Sequence, residues 1–414
     1  MSQKDESSYC SFCSSKLTQT LIDLGKQPYA NNYISDKSIV ANQYPLHVKI
    51  CDVCKLVQHT TVIDSKEIFD HYGYFSSYSE YWLDHCKKYA DHITSKLELD
   101  QDSLVIEIAS NDGYMLKNFK DNDINVLGID PAENVANVAI NSGIDTIIDY
   151  FGESLASRIV STKDPDLVIA NNVLAHVPDI NDFVSGIKIL MTTGGICTIE
   201  FPHYLNLVNQ LQFDTIYHEH FSYLSITALK NILSEHDLKI FDVENIPTHG
   251  GSLRVYICHQ SNEKHSITSR VDNVLNEEIS SKIFEKDRIS EFQTNVNNIK
   301  NSFLSFLKKE KDENKSICCF GAAAKGNTFL NFVQPNFDDI DFVVDDTPFK
   351  QNTFLPGSMI PVVDREELKR RKPDYIIILP WNHMDEIIHR NQYIYEWGAK
   401  FVVAIPDLTV IDKT

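Results

Sequence analysis

SLVIEIASNDGYML, residues 103–116, is the stretch on which the fold turns. A short apolar run, broken only by Glu107, meets a small polar turn, Ala109 to Gly113, and then the start of a helix. NVLGIDPAENVANVA, residues 125–139, repeats the theme: a strand ends on Asp130-Pro131 and a second helix follows. Strand, tight turn, helix and a second strand closed by an acid form the nucleotide-binding half of a doubly wound sheet. An acid placed ~20 residues after the first turn suits a ribose diol. The turn lacks GxGxxG, which disfavours a dinucleotide. Glu107 inside the strand and Asn111-Asp112-Gly113 in the turn suit S-adenosylmethionine, which has no phosphate to cradle and carries an ammonium that wants acceptors. On these residues alone, a phosphate-binding or ligand-free Rossmann-like domain competes with that reading.

The pattern continues outward. DLVIANNVLAHVPD, residues 166–179, is a third buried strand with Asn171, Asn172 and His176 just past its carboxyl end, the edge at which such sheets bind ligands. The candidate cofactor contacts are therefore Glu107, Ser110, Asn111, Asp112, Asp130, Pro131, Asn171 and Asn172. GGICTIEFPHY is the next strand, entered through a Gly-Gly turn. KIFDVENIPTHGGSLRVYICH alternates apolar and polar residues and reads as a hairpin turning at Pro247 to Gly251; Arg254 reads as a sheet-surface arginine.

Two CxxC pairs, Cys10/Cys13 and Cys51/Cys54, precede this unit. Each turn lets two thiolates reach one ion, and two turns complete a tetrahedron with no open position, as in structural zinc sites. A segment of about 60 residues with so little apolar content calls for such a staple. Between it and the central sheet, HYGYFSSYSEYW (residues 71–82) sets aromatics among serines, which suits the wall of a pocket for a polar ring and makes Tyr74 and Tyr78 candidate substrate contacts.

Past the central unit, Ile289, Phe292, Val296, Ile299, Phe303 and Phe306 recur at helical spacing and predict a long amphipathic helix. SICCFGAAAKGNTFLNF (316–332) is then a strand, a small-residue turn and a helix, a place where backbone N–H groups bind anions and Lys325 adds charge. IDFVVDDTPFKQ, YIIILPWNHMDEI and FVVAIPDLTVI read as three further strands, with Trp381 and Asn382 just beyond the end of the second. The expected architecture is α/β: a zinc-binding domain over 1–65, an aromatic and helical segment over 66–95, a Rossmann-like domain suited to S-adenosylmethionine over 96–262, a helical linker over 263–312 and a C-terminal Rossmann-like domain over 313–414.

A net charge of −20 argues against a general nucleic-acid binder, because phosphate contact needs a basic surface. No apolar run approaches the ~20 residues of a membrane helix. The polar N-terminus has no signal-peptide character, so the expected compartment is the cytoplasm, where nine cysteines serve as thiols or metal ligands. No interface signature stands out, and a monomer is the default expectation.

DTIYHEHFSYLS, residues 214–225, packs Tyr217, His218, Glu219, His220 and Tyr223 into seven positions. A zincin would need its histidines at i and i+4 on a helix, and here they stand at i and i+2. In an extended segment His218 and His220 would share a face, which leaves a metal open on geometry alone.

EIASNDGYML, GIDPAENVA, NNVLAHVPDINDFV, FDTIYHEHFSYLS, GAAAKGNTFLNF and LPWNHMDEI occur in this order after the paired CxxC segment. Together they resemble the sugar C-methyltransferases of branched deoxysugar biosynthesis, from about residue 10 to the C-terminus. The resemblance implies an S-adenosylmethionine-dependent enzyme that methylates a carbon beside the ketone of a nucleotide-linked 4-keto-6-deoxyhexose, with a structural zinc. It implies His220 as the base, Glu219 close to the sugar or orienting the base, Tyr217 bonded to the sugar or the developing oxyanion, and His176 lining the pocket. It also implies nucleotide-sugar contacts from the GAAAKGN loop, with Lys325 and Asn327 the candidates. Trp381 and Asn382 are candidates from their place past a strand end, where an indole packs against a base or sugar or serves as a structural tryptophan. Ala109 departs from the glycine that many methyltransferases carry in the first turn. The competing classes are an epimerase or dehydrogenase using a dinucleotide, opposed by the missing GxGxxG after residue 316, and a non-catalytic nucleotide-sugar binding protein, opposed by the intact YHEH.

Overall fold

The computed structural model describes residues 8–61, 77, 80–161 and 164–413. Tyr74 and Tyr78 lie outside the described residues. Three sheets organise the rest.

The first is antiparallel: β1 (Gln19–Gln27), β2 (Tyr44–Ile50) and β3 (Val57–His59). In β2 the alternation works as read, with Leu46, Val48 and Ile50 buried. Its fourth strand comes from far along the chain: β9 (Ser222–Tyr223), inside the DTIYHEHFSYLS segment, pairs with β3.

The second sheet is built from β4 (Leu104–Ile108), β5 (Asn125–Ile129), β6 (Thr146–Ile147), β7 (Leu167–Ile169), β8 (Ile196–Pro202), β10 (Leu238–Ile246) and β11 (Ser252–His259). Their order is β10-β11-β8-β7-β4-β5-β6. All pairings from β8 to β6 are parallel, and β11 runs antiparallel between β8 and β10. The order reverses between β4 and β7, so a crevice opens where residues 109–113 and 170–172 leave the carboxyl ends of those strands. The helix Glu80–Leu97 covers one face of this sheet, with Trp82, Cys86, Tyr89 and Ile93 in the shared core.

The third sheet has the order β14-β13-β12-β15-β16-β17. Its strands are β12 (Ile317–Phe320), β13 (Val343–Val344), β14 (Val362–Val363), β15 (Tyr375–Ile378), β16 (Lys400–Val403) and β17 (Thr409–Ile411). All its pairings are parallel except β16 with β17. FVVAIPDLTVI thus forms two antiparallel strands where one was expected, because Pro406 offers no N–H to a ladder and the chain turns there.

The predicted apolar stripe is buried along its whole length in the helix Lys286–Asp312, and a separate helix, Ser269–Ser280, precedes it. The stripe changes the expectation for the N-terminal segment. Leu21, Leu46, Val48 and Val57 share one continuous core with Phe292, Phe303, Ile317 and Val402. Hydrophobic burial against the linker helix and the C-terminal unit therefore supports this segment alongside any metal.

Candidate functional site

After β4 the chain enters the left-handed region at Ala109 (φ 58°), Asn111 (φ 50°) and Gly113 (φ 80°). This turn is held from the end of β5: Asp130 accepts the Asn111 N–H at 2.9 Å on one oxygen and the Ala132 N–H at 2.9 Å on the other. Each oxygen keeps a second lone pair, so Asp130 remains able to accept a hydroxyl. Burial pushes its pKa up to about 6.

Around the crevice lie buried polar atoms that find no partner among the described residues: Glu107 Oε2, Ser110 Oγ, Asp112 Oδ1 and both side-chain polar atoms of Asn171 and of Asn172. Such atoms are rare in folded proteins, and their gathering at a switch point is what a polar ligand could satisfy. The other oxygen of Asp112 accepts the Ser77 hydroxyl at 2.6 Å. Glu107 is held well above the ordinary carboxylate range, first by burial and then by Asp130, Asp112 and Glu200. A buried acid raised by its acidic neighbours fits a cationic occupant, and S-adenosylmethionine brings a sulfonium and an ammonium. Pro131 follows Asp130 at the rim of this crevice and is half-buried. Arg254 is not on the sheet surface: it is buried, with its Nε donating to Glu200 at 2.6 Å, and His85 meets the same carboxylate at 3.1 Å.

The DTIYHEHFSYLS segment crosses the same edge. It is not extended at the histidines, because the His220 N–H bonds the Tyr217 carbonyl at 2.9 Å and closes a tight turn. The turn separates the two rings. His218 points to the N-terminal sheet, its Nε2 meeting the Pro45 carbonyl at 3.2 Å, with Tyr29 and Tyr44 edge-on. His220 points the other way, its ring centroid 4.7 Å from that of His176 and 4.0 Å from that of Tyr217. Among the described residues the one cluster able to hold a metal is made of cysteines.

His220 Nδ1 lies 2.8 Å from the Thr215 carbonyl. A carbonyl only accepts, so Nδ1 carries the proton and Nε2 keeps its lone pair. Loss of solvent, followed by the neighbouring His176, holds the His220 pKa well below its ordinary value. Burial likewise takes His176 down to about 4. Both imidazoles are neutral near pH 7. The Phe221 N–H bonds the Ala175 carbonyl at 2.7 Å, which fixes the segment against the turn after β7. Glu219 does not orient the base, since Thr215 does. Its carboxylate is buried, accepts Asn31 Nδ2 at 2.6 Å, and is pushed up to about 7 by burial.

The C-terminal unit reaches this edge with three of its four candidates. Lys325 Nζ donates to Asn382 Oδ1 at 2.7 Å and lies 4.8 Å over the Trp381 ring. The Trp381 indole N–H donates to Asp214 at 2.8 Å, which ties β15's end to the start of the His220 segment. Lys325 is close enough to depress His220, His249 and His383 electrostatically. Asn327 stands apart from them: it is buried, and its amide donates to the Ala30 carbonyl at 2.6 Å, joining the C-terminal unit to the N-terminal one.

Asp214, Asn31 and His249 belong to this neighbourhood and were missed as candidates. His249 takes φ 55° in the turn between β10 and β11, with its ring 5.3 Å from Trp82. The His-Gly-Gly turn was the available signal for it. Asn31 sits in a loop of turn formers that carried none.

In the N-terminal unit the sulfurs of Cys10, Cys13, Cys51 and Cys54 all lie within 4.8 Å of one another. Cys10–Cys54 and Cys13–Cys51 are each 3.5 Å apart, too long for disulfides and close to the ~3.8 Å edge of a tetrahedron with Zn–S bonds of ~2.3 Å. The two turns are built alike: Ser14 N–H to Cys10 carbonyl and Lys55 N–H to Cys51 carbonyl, each 3.0 Å, with Ser14 (φ 57°) and Lys55 (φ 67°) left-handed. The donor set and its spacing fit zinc.

Models of three families cover most of the chain: a zinc-binding domain over residues 10–69, a methyltransferase domain over 81–243 and a C-methyltransferase C-terminal domain over 247–406. The chain is 32% identical over 408 residues to the C-methyltransferase NovU of Streptomyces niveus, an alignment spanning 97% of this chain and 96% of the relative. Among solved structures, an S-adenosylmethionine-dependent methyltransferase of Clostridium acetobutylicum aligns with 44% of this chain and 93% of its own at 11% identity and a TM-score of 0.36. The magnesium protoporphyrin IX methyltransferase of Synechocystis aligns with 43% of this chain and 82% of its own at 14% identity and a TM-score of 0.34.

Proposed function

Since this chain belongs to the C-methyltransferase family, we propose that it transfers the methyl group of S-adenosylmethionine to the carbon beside the ketone of a nucleotide-linked 4-keto-6-deoxysugar. The observation that carries the reading is the fixed tautomer of His220, which offers a bare Nε2 beside the crevice of unsatisfied acids and amides.

Carbon alkylation needs a carbanion equivalent, and a proton beside a ketone is the accessible one. His220 Nε2 takes that proton, and the C–H electrons move to the ketone oxygen as an enolate. The depressed pKa keeps the imidazole unprotonated and ready. Tyr217, packed on His220, and His176 are the groups placed to donate to the enolate oxygen or hold the sugar. The enolate carbon then attacks the methyl carbon, the C–S bond breaks with its electrons on sulfur, and S-adenosylhomocysteine leaves. His220 finally returns its proton to solvent.

Glu107, Ser110, Asn111, Asp112, Asp130, Pro131, Asn171 and Asn172 hold the cofactor in this reading. Glu219, Lys325, Trp381 and Asn382 face the nucleotide-sugar. Asn327 has a structural role at the joint.

The test is a pair of assays on nucleotide-linked 4-keto-6-deoxysugars in deuterated water. Deuterium should enter the carbon beside the ketone in a His220-dependent way, and S-adenosylhomocysteine should appear when S-adenosylmethionine is added. Neither signal across thymidine, guanosine and cytidine diphosphate carriers, in protein that binds S-adenosylmethionine, would remove the sugar substrate from the reading.

A further inference from the structure

The strand that carries the base belongs to the sheet of the cysteine cluster. Gln58 of β3 pairs with Ser222 and Val57 with Tyr223. The His59 N–H bonds the Phe221 carbonyl at 3.2 Å, and His59 Nε2 meets the His218 carbonyl at 3.2 Å. His220 is thus bracketed on both sides by backbone that β3 holds.

Gln58 is buried, and its side chain turns to the cluster. Its Nε2 donates to Cys10 Sγ at 3.1 Å, and its Oε1 accepts the Ser11 N–H at 2.9 Å. One residue therefore grips a metal-ligating sulfur through its side chain and the catalytic segment through its backbone pairing. The sulfur that accepts from Gln58 is one that the metal would fix in place, so the contact and the metal share one atom.

We propose that Gln58 is a positioning residue that couples the metal-ligated state of Cys10 to the placement of the His220 segment. This rests on reading His220 as the base. The zinc turns then act on the reaction without touching substrate: a metal-held Cys10 anchors Gln58, Gln58 anchors β3, and β3 sets the register of residues 218–223. Partners one step out from a metal are commonly worth 10- to 100-fold in metal affinity or activity.

The experiment uses full-length, zinc-loaded protein and two variants. Gln58→Leu removes both side-chain contacts; Gln58→Glu keeps the acceptor for Ser11 and loses the donor to Cys10. Three quantities are read: zinc release to a chromogenic chelator, hydrogen exchange of the amides of residues 218–223, and methyl transfer split into kcat and the KM for S-adenosylmethionine. Both variants are expected to release zinc at least ~10-fold faster and to exchange faster over 218–223. Their kcat should fall while the KM for S-adenosylmethionine stays within about twofold, as loss of positioning rather than of cofactor binding requires. Wild-type protein stripped of zinc should show the same rise in exchange, which keeps the test alive if a variant fails to fold. Unchanged exchange over 218–223 in the variants and in the stripped wild type overturns the coupling, however fast zinc leaves. Normal exchange coupling in a wild type that methylates no keto-sugar sustains the coupling and sinks the substrate assignment instead.

Discussion

Past β4, Asp130 takes the backbone N–H of Asn111 and, two residues beyond itself, that of Ala132. Past β12, Asp345 takes the N–H of Ala322 at 2.7 Å and, again two residues beyond itself, that of Thr347 at 2.9 Å. The two units therefore fasten the loop after their first strand with the same carboxylate in the same register. They differ in what meets the loop. The central crevice keeps Glu107, Ser110, Asp112, Asn171 and Asn172 with polar atoms that find no partner among the described residues. In the C-terminal unit the Ala322 carbonyl accepts Lys350 Nζ at 2.9 Å and also the hydroxyl of Tyr33 from the N-terminal segment. Pro380 packs against Gly321, and Trp381 is committed to Asp214. A half-Rossmann loop is thus a scaffold whose use depends on what fills its switch point. One unit leaves buried polar atoms open beside its loop, and the other ties its loop to Lys350 and to Tyr33 of the N-terminal segment.

The largest expected effect tests where the reactive group resides. His220→Ala should lower kcat by ~100- to 10,000-fold, the usual range for a lost general base. S-adenosylmethionine affinity, measured by calorimetry, should stay within about twofold, because His220 is not among the groups that hold the cofactor in this reading. Near-normal turnover would move the base elsewhere.

The matched pair of acids comes next. Asp130→Ala and Asp345→Ala each orphan two backbone N–H groups and should each cost ~3 kcal/mol in denaturant unfolding. Only Asp130→Ala should also weaken S-adenosylmethionine, by at least ~10-fold, since the Asp345 loop is closed by protein groups. Equal loss of cofactor affinity in both variants would break the comparison.

Glu107→Gln sharpens it. The exchange is nearly isosteric and removes an acid that a cationic cofactor would ionise, so S-adenosylmethionine binding should weaken by about tenfold, near 1.4 kcal/mol. The cofactor-free protein should gain stability at neutral pH. Glu107 has its folded pKa raised above the unfolded value, so the folded state binds more protons. Stability is then greatest below the ordinary carboxylate range and falls as pH rises through the folded pKa. The variant should show a shallower fall as pH rises above the ordinary carboxylate range in urea unfolding; an unchanged slope would mean that Glu107 is not the buried acid responsible.

These contrasts bear on what a sequence makes legible. The paired strand-turn-helix units, the hairpin and the buried stripe from Ile289 to Phe306 follow from local periodicity and turn chemistry, and they appear as read. The four cysteines gathered because their spacing has one economical geometry. What escaped was set by contacts across the chain. No local pattern tells that Ser222 and Tyr223 complete the sheet begun at Gln19, or that Asn31 finds Glu219. The shared face of His218 and His220 failed for a local reason: the Tyr217–His220 turn replaced the extended backbone on which alternation depends. Arg254 was misjudged because alternation within β11 does not reveal that the helix Glu80–Leu97 covers that side of the sheet; Arg254 sits 4.3 Å from the Tyr89 ring.

The smallest predicted effect concerns the residue that departs from the usual glycine. Ala109 (φ 58°) and Gly321 (φ 88°) both turn the chain after the first strand of their unit, and only one has a side chain. Gly321 has no choice, because a Cβ there would run into Pro380. Ala109 has room, yet pays in backbone strain, since an L-residue in the left-handed region costs ~1–2 kcal/mol. Ala109→Gly would relieve that strain and lose ~0.5–1 kcal/mol through the greater freedom of the unfolded chain. The two nearly cancel, so unfolding free energy should rise by less than ~1 kcal/mol. The strain is useful only if it holds Ser110 and Asn111 rigid before the cofactor arrives. In that case Ala109→Gly should weaken S-adenosylmethionine by a few-fold despite equal or better stability, through a slower association. Unchanged affinity with improved stability would mean that the alanine is tolerated rather than used, and that the central loop owes its order to Asp130 alone, as the C-terminal loop does to Asp345.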